Sequence, residues 1–305
     1  MQKIAVLGVP SSAGARRVGQ ERAPRSFRSK GLVERLRSAQ LEVMDLGDLP
    51  EIASRPDPQN PKRQNLNLVR DVARQVAEQV SRATQLHAKP LVLGGDCTIT
   101  LGVIAGLIRH LPDLGLMYVD GDVDLHTPAD TTSGIFDGMG MAHIIGMGAD
   151  ELSRLGPRYP LLPQENIVLF GYNLDSGWVD DIEIERLQQC SMIRYPAGHI
   201  RGTAAEASRE ALERLEDRAT HILVHFDVDV IDDVGFPVAD VPHQHGLSFS
   251  QAMQALRVFL CTPKFAGLVV TEFNASRDPD GTYAEQLVTA ITERLTEGYP
   301  HWKES

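Results

Sequence analysis

Leu116-Met117-Tyr118-Val119-Asp120-Gly121-Asp122-Val123-Asp124 runs four apolar residues straight into three acids at every second position. A strand alternates its side chains between its two faces. If the strand continues, Asp120, Asp122 and Asp124 share one side; if it breaks at Gly121, they crowd one turn. Either way the three negative charges fall within about 7 Å of each other. Carboxylates so placed shift their pKa or take a cation. Taken alone, the triplet also reads as a solvated acidic loop. It is not an EF-hand: Leu125 stands where that loop needs its Gly and Thr131 where it needs its last Glu.

A second run changes the balance. Ile222-Leu223-Val224-His225-Phe226-Asp227-Val228-Asp229-Val230 is another apolar strand ending in paired acids, with His225, Asp227 and Asp229 on one face. Solvation does not explain two such strands. In a parallel sheet their carboxyl ends meet at one edge, where ligands bind in open α/β folds. The two runs together point to a metal or cation site.

The rest of the chain supplies the strands and helices of such a sheet. Lys3–Val9 is an apolar strand, and 11–25 a Gly-, Ser- and Arg-rich loop without dinucleotide-loop glycine spacing. Pro24 starts a helix that carries Phe27, Leu32, Val33 and Leu36. Leu41–Leu46 is a short strand. Val69, Val72, Val76, Val80 and Ala83 give Asn65–His87 a helical stripe. Lys89–Leu93 runs through Gly94-Gly95-Asp96-Cys97-Thr98 into helix Ile99–Arg109, and a long polar loop, Thr127–Gly140, follows the first acidic run. Strands are expected at Asn166–Phe170, Met192–Tyr195 and Ala266–Phe273. Helices are expected at Ala204–Asp217, from a Ser248 cap to Leu260, and at Asp280–Thr296. Strands alternating with helices make an α/β fold with a covered parallel sheet. With no repeat and no linker, residues 1–305 read as a single domain.

Composition narrows the function. The 305 residues are 42% hydrophobic and 23% charged, with net charge −11. That charge argues against nucleic acid or an anionic membrane as partner and suits a cationic ligand. Cys97, Cys190 and Cys261 are odd in number and form no CxxC pair, which suggests a reducing compartment. The N-terminus becomes a strand at once, and no apolar run reaches membrane length. A cytoplasmic protein is expected.

Gly94-Gly95-Asp96-Cys97-Thr98, Asp120-Gly121-Asp122-Val123-Asp124, Ser133-Gly134, Phe226-Asp227-Val228-Asp229 and Glu272-Phe273-Asn274, taken in order, resemble the arginase/agmatinase (ureohydrolase) family over nearly the whole chain. Gly8-Val9-Pro10 and Gly47-Asp48-Leu49 are similar too. The resemblance implies a three-layer αβα fold with about eight parallel strands. It implies a pair of manganese ions, a bridging hydroxide that attacks a guanidinium carbon, and a trimer or hexamer. It places one metal on Cys97, Asp120, Asp124 and Asp227, and the other on Asp120, Asp122, Asp227 and Asp229. The family has His at the places of Cys97 and Asp122. Asp137 stands where arginases place a catalytic His, and His126 where they place an Asn that helps bind the amino-acid end. Ser133 and Glu272 are kept, the latter as the residue that holds the guanidinium.

These substitutions carry physical consequences. Five aspartates, with or without a Cys97 thiolate, exceed the charge of two divalent ions and weaken them as Lewis acids. A protonated carboxyl, a single metal, a cationic substrate or an imidazole from His225 would each relieve the excess. Cys97 favours Zn, Fe, Co or Ni, and Asp122 favours Mg or Mn. His243 and His245, in the loop after the second acidic strand, are either substrate contacts or exposed loop residues.

The expectation is a metal-dependent hydrolase of a C–N bond in a small guanidinium or amidine compound other than plain arginine. Glu272 would orient the cation. His126, Asp137 or a loop His would move the proton, and Asp124 belongs to the catalytic set. The alternatives are an inactive arginase-fold protein that binds a cation or cationic metabolite or serves as an assembly subunit, and single-metal chemistry on Cys97; loss of the metal is the further possibility for the cofactor.

Overall fold

A computed structural model describes residues 3–302. Its strands are β1 (Lys3–Gly8), β2 (Glu42–Asp48), β3 (Ala88–Leu93), β4 (Leu114–Val119), β5 (Ile167–Phe170), β6 (Ile193–Tyr195), β7 (His221–Asp227) and β8 (Phe265–Thr271). The helices are α1 (Ala23–Ser29), α2 (Leu32–Ser38), α3 (Leu66–Gln85), α4 (Ile99–Leu107), α5 (Gly140–Ile144), α6 (Asp150–Ser153), α7 (Asp181–Gln189), α8 (Ala197–Ile200), α9 (Ala204–Glu216), α10 (Phe249–Leu260) and α11 (Thr282–Gly298). The eight strands form one sheet in the order β2-β1-β3-β8-β7-β4-β5-β6. Every pairing is parallel.

The layers follow from period-two burial. Ile4, Val6, Met117, Val119, Val224 and Phe226 face one core, packed by α1, α2 and α9 to α11. Leu7, Leu116, Tyr118 and Leu223 face the other, with the valine stripe of α3 and all of α4. Strands buried on both faces read as continuous apolar runs, which is why their sequences do not alternate. Ser248 caps α10 in a reciprocal pair with Gln251. Among the described residues no helix is long and apolar enough to cross a membrane.

Two local expectations change. The single helix from Pro24 is two helices, α1 and α2, broken where Gly31 takes φ +75°. Of the two readings of the first acidic run, the turn is the one the chain takes. β4 stops at Val119 and the chain turns, with Asp124 at φ +53°. The second acidic run likewise ends as strand at Asp227, and Val228–Val230 forms a short 3-10 turn.

Sheet order is what assembles the site. β4 lies beside β7, with Val119 opposite Phe226, so Asp120 and Asp227 leave the sheet side by side. β8 lies beside β7 with Thr271 opposite Asp227, and β3 beside β8. The carboxyl ends of four neighbouring strands thus carry Cys97, Glu272, Asp227 and Asp120.

Candidate active site

The turn after β3 is pinned from below. Gly95 presses on the N-terminal loop so closely that a Cβ would stand 1.7 Å from the Ser11 carbonyl oxygen. Buried Asp96 accepts from Gly14 N–H (3.1 Å), Ser11 Oγ (3.3 Å) and Thr98 N–H (3.1 Å). Burial raises its carboxyl to about 7. Asp96 therefore ties loop to turn and presents Cys97 at the start of α4. The Cys97 N–H donates to Glu272 Oε1 (2.9 Å) and Asp137 Oδ1 (3.2 Å). Its Sγ stands 3.1 Å from Asp137 Oδ1, 3.2 Å from the Asp137 carbonyl and 3.8 Å from Asp124 Oδ2. Burial, then Asp137, pushes the thiol up, so it is a protonated donor to these oxygens. Cys97, Asp137 and Glu272 form one constellation.

The aspartates form a second. Asp120 Oδ1 accepts from Asp122 N–H (2.7 Å), Asp227 Oδ1 from Asp229 N–H (2.9 Å), and Asp229 Oδ1 from Gly121 N–H (3.0 Å). Thr271 Oγ1 donates to Asp227 Oδ2 (3.0 Å) and Tyr118 OH to Asp124 Oδ2 (2.6 Å). Burial, reinforced by neighbouring acids, raises Asp120, Asp124, Asp227 and Glu272 well above the usual carboxylate range. Burial raises Asp229 to about 6, against the pull of His243. Burial also raises Asp137, against its bonds to Glu272 and Cys97. Such a set is stable in low dielectric only with protons or with cations.

Two imidazoles aim into it. His225 Nε2 lies 3.5 Å from Asp120 Oδ2 and 3.9 Å from Asp227 Oδ2. Its Nδ1 is paired with Thr100 Oγ1 at 2.8 Å. His243 Nε2 lies 3.3 Å from Asp122 Oδ2 and 3.8 Å from Asp229 Oδ2. Both Nε2 atoms are buried without a hydrogen-bond partner. Burial lowers His225 to about 3, a neutral ring. Burial opposes charge on His243 too, but Asp122 and Asp229 outweigh it and raise the ring to about 9. Orphaned imidazole nitrogens facing carboxylate pairs fit divalent ions, which compete with the proton on His243.

A cavity of about 270 Å³ opens above these turns. It is lined by Cys97, Asp120, Asp122, Asp124, His126, Ser133, Asp137, Asp227, Asp229 and Glu272. His243 lies beneath it, and His245 is exposed on the loop, its N–H bonded to Asp232. At the mouth Arg16 stands 5.9 Å above the ring of Trp178. His126 pairs with Asp130 (3.0 Å), and its Nε2 is 3.5 Å from both Asp180 and Glu183. Burial raises Glu183 to about 7. Sequence reasoning missed Asp180 and Glu183, the cap and first turn of α7. The signal was present: Asp180 caps that helix, with Glu183 three residues on.

An all-parallel, three-layer α/β fold with acid-rich turns at adjoining strand ends defines a ureohydrolase-like scaffold. The chain belongs to the arginase family: the family profile matches residues 2–296. It is 30% identical to the arginase of Bacillus caldovelox, over 85% of this chain and 86% of that one. It is 30% identical to the arginase of Bacillus subtilis, over 94% of this chain and 97% of that one. The solved arginase structure from Bacillus caldovelox superposes with a TM-score of 0.90 at 26% identity, covering 97% and 98% of the two chains. This fold supports metal-dependent hydrolysis of guanidino compounds.

Proposed function

We propose that the chain hydrolyses a C–N bond of a guanidinium or amidine compound whose far end is not that of arginine. One observation carries this reading. Glu272 is buried at the cavity floor beside the aspartate cluster, at φ +65°, its carboxylate fixed by Gln20 Nε2 and the Cys97 N–H. A carboxylate held so rigidly among acids is a receptor for a planar cation.

Asp120, Asp122, Asp124, Asp227 and Asp229 are the acids that would hold divalent ions, with His225, His243 and Cys97 the remaining candidates. When bound, the ions supply Lewis acidity that makes water nucleophilic at neutral pH. Oxygen ligands favour Mn, while sulfur participation would favour Zn, Fe, Co or Ni. Glu272 orients the guanidinium carbon over the cluster. Water oxygen adds to that carbon, one C–N bond breaks, and the departing nitrogen takes a proton and leaves as an amine. Urea remains from a guanidino compound, an amide from an amidine. Asp137, half-buried with its carboxyl raised and close to Glu272, is placed to carry that proton. At the mouth Asp180 and Glu183 favour a donor-bearing far end, and His126, committed to acids, leaves Ser133 without the Asn partner of arginases. The same reading takes the protein as cytoplasmic, in line with three unpaired cysteines, and as a trimer or hexamer, following the resemblance.

The test is release of urea or amine by protein reconstituted with Mn, Co, Ni or Zn. The panel is guanidino and amidino compounds with amine, carboxylate or uncharged far ends. Release from an amine-ended compound in preference to arginine is expected. Metal-loaded protein that releases nothing from any of them rejects the reaction and leaves a cation-binding protein.

A further inference from the structure

We infer that His225 and His243 are metal ligands, supplying from new positions the two imidazoles that the resemblance assigns to the places of Cys97 and Asp122. The inference rests on the reading above only in that divalent ions bind; it does not need turnover.

The donors sort into two triads. Asp120, Asp227 and His225 make one; Asp122, Asp229 and His243 make the other, and within each the donor atoms lie within 4.8 Å of one another. With metal–ligand bonds of about 2.1 Å, donor atoms stand roughly 3.0 Å apart at a right angle and 3.4 Å at the tetrahedral angle. The imidazole-to-carboxylate distances, 3.3 to 3.9 Å, are close to that spacing. Both rings have 0% exposure, and both Nε2 atoms lack a hydrogen-bond partner. A buried ring nitrogen aimed at two carboxylates and bonded to neither is what a ligand looks like before its ion.

The ring of His225 is also held in place. Thr100 takes the far nitrogen of His225, and Tyr118 stacks on its face with centroids 4.1 Å apart. A hydrogen bond to the other ring nitrogen is how proteins fix the tautomer of a ligating imidazole. His243 is admitted by Gly121: a Cβ there would stand 2.8 Å from its Cδ2 and 2.9 Å from its Nε2.

Charge agrees. Four carboxylates and two neutral imidazoles balance two divalent ions. The sulfur of Cys97 is turned to Asp137, and Asp124 is held by Tyr118, so neither is needed for that balance. The chain has moved its imidazoles rather than lost them, and the oxygen-and-nitrogen set suits Mn or Co without a thiolate.

The experiment loads purified protein with Co²⁺, then measures metal content and X-ray absorption at the cobalt edge. Wild type is expected to hold about two ions per chain with about one imidazole each, and no thiolate-to-cobalt charge-transfer band. His225→Asn, which keeps a group for Thr100, and His243→Asn are each expected to lose about one ion. Circular dichroism of the metal-free variants checks their fold. If a variant misfolds, the imidazole count of wild type decides alone. Cobalt without imidazole scattering, a thiolate band, or no bound metal overturns the assignment. Two imidazole-ligated ions without turnover would sink the proposed reaction and leave the ligands standing; turnover without imidazole scattering would do the reverse.

Discussion

The phenol of Tyr118 lies nearly parallel to the imidazole of His225, 9° between planes, while its hydroxyl donates to Asp124. One side chain therefore clamps a candidate ligand with its face and a buried acid with its tip. The two roles separate by mutation. Tyr118→Phe keeps the stack and strips Asp124 of its donor. It should cost about 1–3 kcal/mol of stability, the range for a buried polar group left unpaired. Metal content should stay near wild type. Tyr118→Leu removes the ring that fixes His225 and should weaken metal affinity about 10–100-fold. Urea unfolding and competition with a chromophoric chelator measure the two effects.

Gly121 is bounded by the His243 ring on one side and the Asp229 carbonyl on the other, and a Cβ added to it would stand 2.9 Å from that carbonyl oxygen. The backbone atom cannot yield cheaply. Gly121→Ala should therefore displace His243 and cost about 1–3 kcal/mol, as overpacking does. Loss of one ion per chain with the other retained is the expected result, read by elemental analysis beside the melting temperature.

Glu272 and Asp137 should divide in kinetics once a substrate is found. Glu272→Gln keeps an acceptor for the Cys97 N–H but loses the charge that faces the guanidinium. It should lower kcat/KM by roughly 10–100-fold, the worth of a hydrogen bond to a charged group, chiefly through KM. Asp137→Asn removes the titratable proton and should lower kcat by about 10²–10⁴-fold with little change in KM. A rise in KM as large as the fall in kcat for Asp137→Asn would mean that it only shapes the site.

Much of this centre was legible in the sequence because chemistry and topology coincide there. Two apolar strands ending in alternating acids had to be central, and central parallel strands put their carboxyl ends together. The Ser248 cap and the α3 stripe were readable for similar local reasons. His243 as a partner of Asp122 was not readable. It arrives from a loop of irregular backbone, and no period carries a loop residue to a strand end. Gly121 gave no separate sign of it, since a glycine between two acids can equally end a strand. The break at Gly31 had a sign that the single-helix reading passed over: at about 100° per residue Leu32, Val33 and Leu36 fall on the face opposite Phe27, so one straight helix could not bury both groups. α7 escaped because only Glu183 and Leu187 are buried on it, too few to make a face.

His143 offers a test of the scaffold apart from the metals. Its Nδ1 donates to the Met139 carbonyl (2.7 Å) and its Nε2 accepts from the Ala149 N–H (3.0 Å). A proton on Nε2 would face a donor with no room to turn, since Gly148 crowds the ring. Burial lowers the ring to about 4 from its ordinary 6.5. The unfolded chain thus binds the proton more readily between those values. The contribution of His143 is fully present above pH 6.5 and is lost as pH falls toward 4. A shift of this size corresponds to about 3 kcal/mol. The raised aspartates titrate with the opposite sign over nearby pH, because there the folded state binds the proton more tightly. The His143 effect must therefore be read as a difference. His143→Gln keeps an acceptor and a donor but no titration. Wild type should lose stability relative to this variant by up to about 1.4 kcal/mol per pH unit between pH 6.5 and 4. Parallel stability curves for the two proteins across that range would show that His143 titrates normally in the fold.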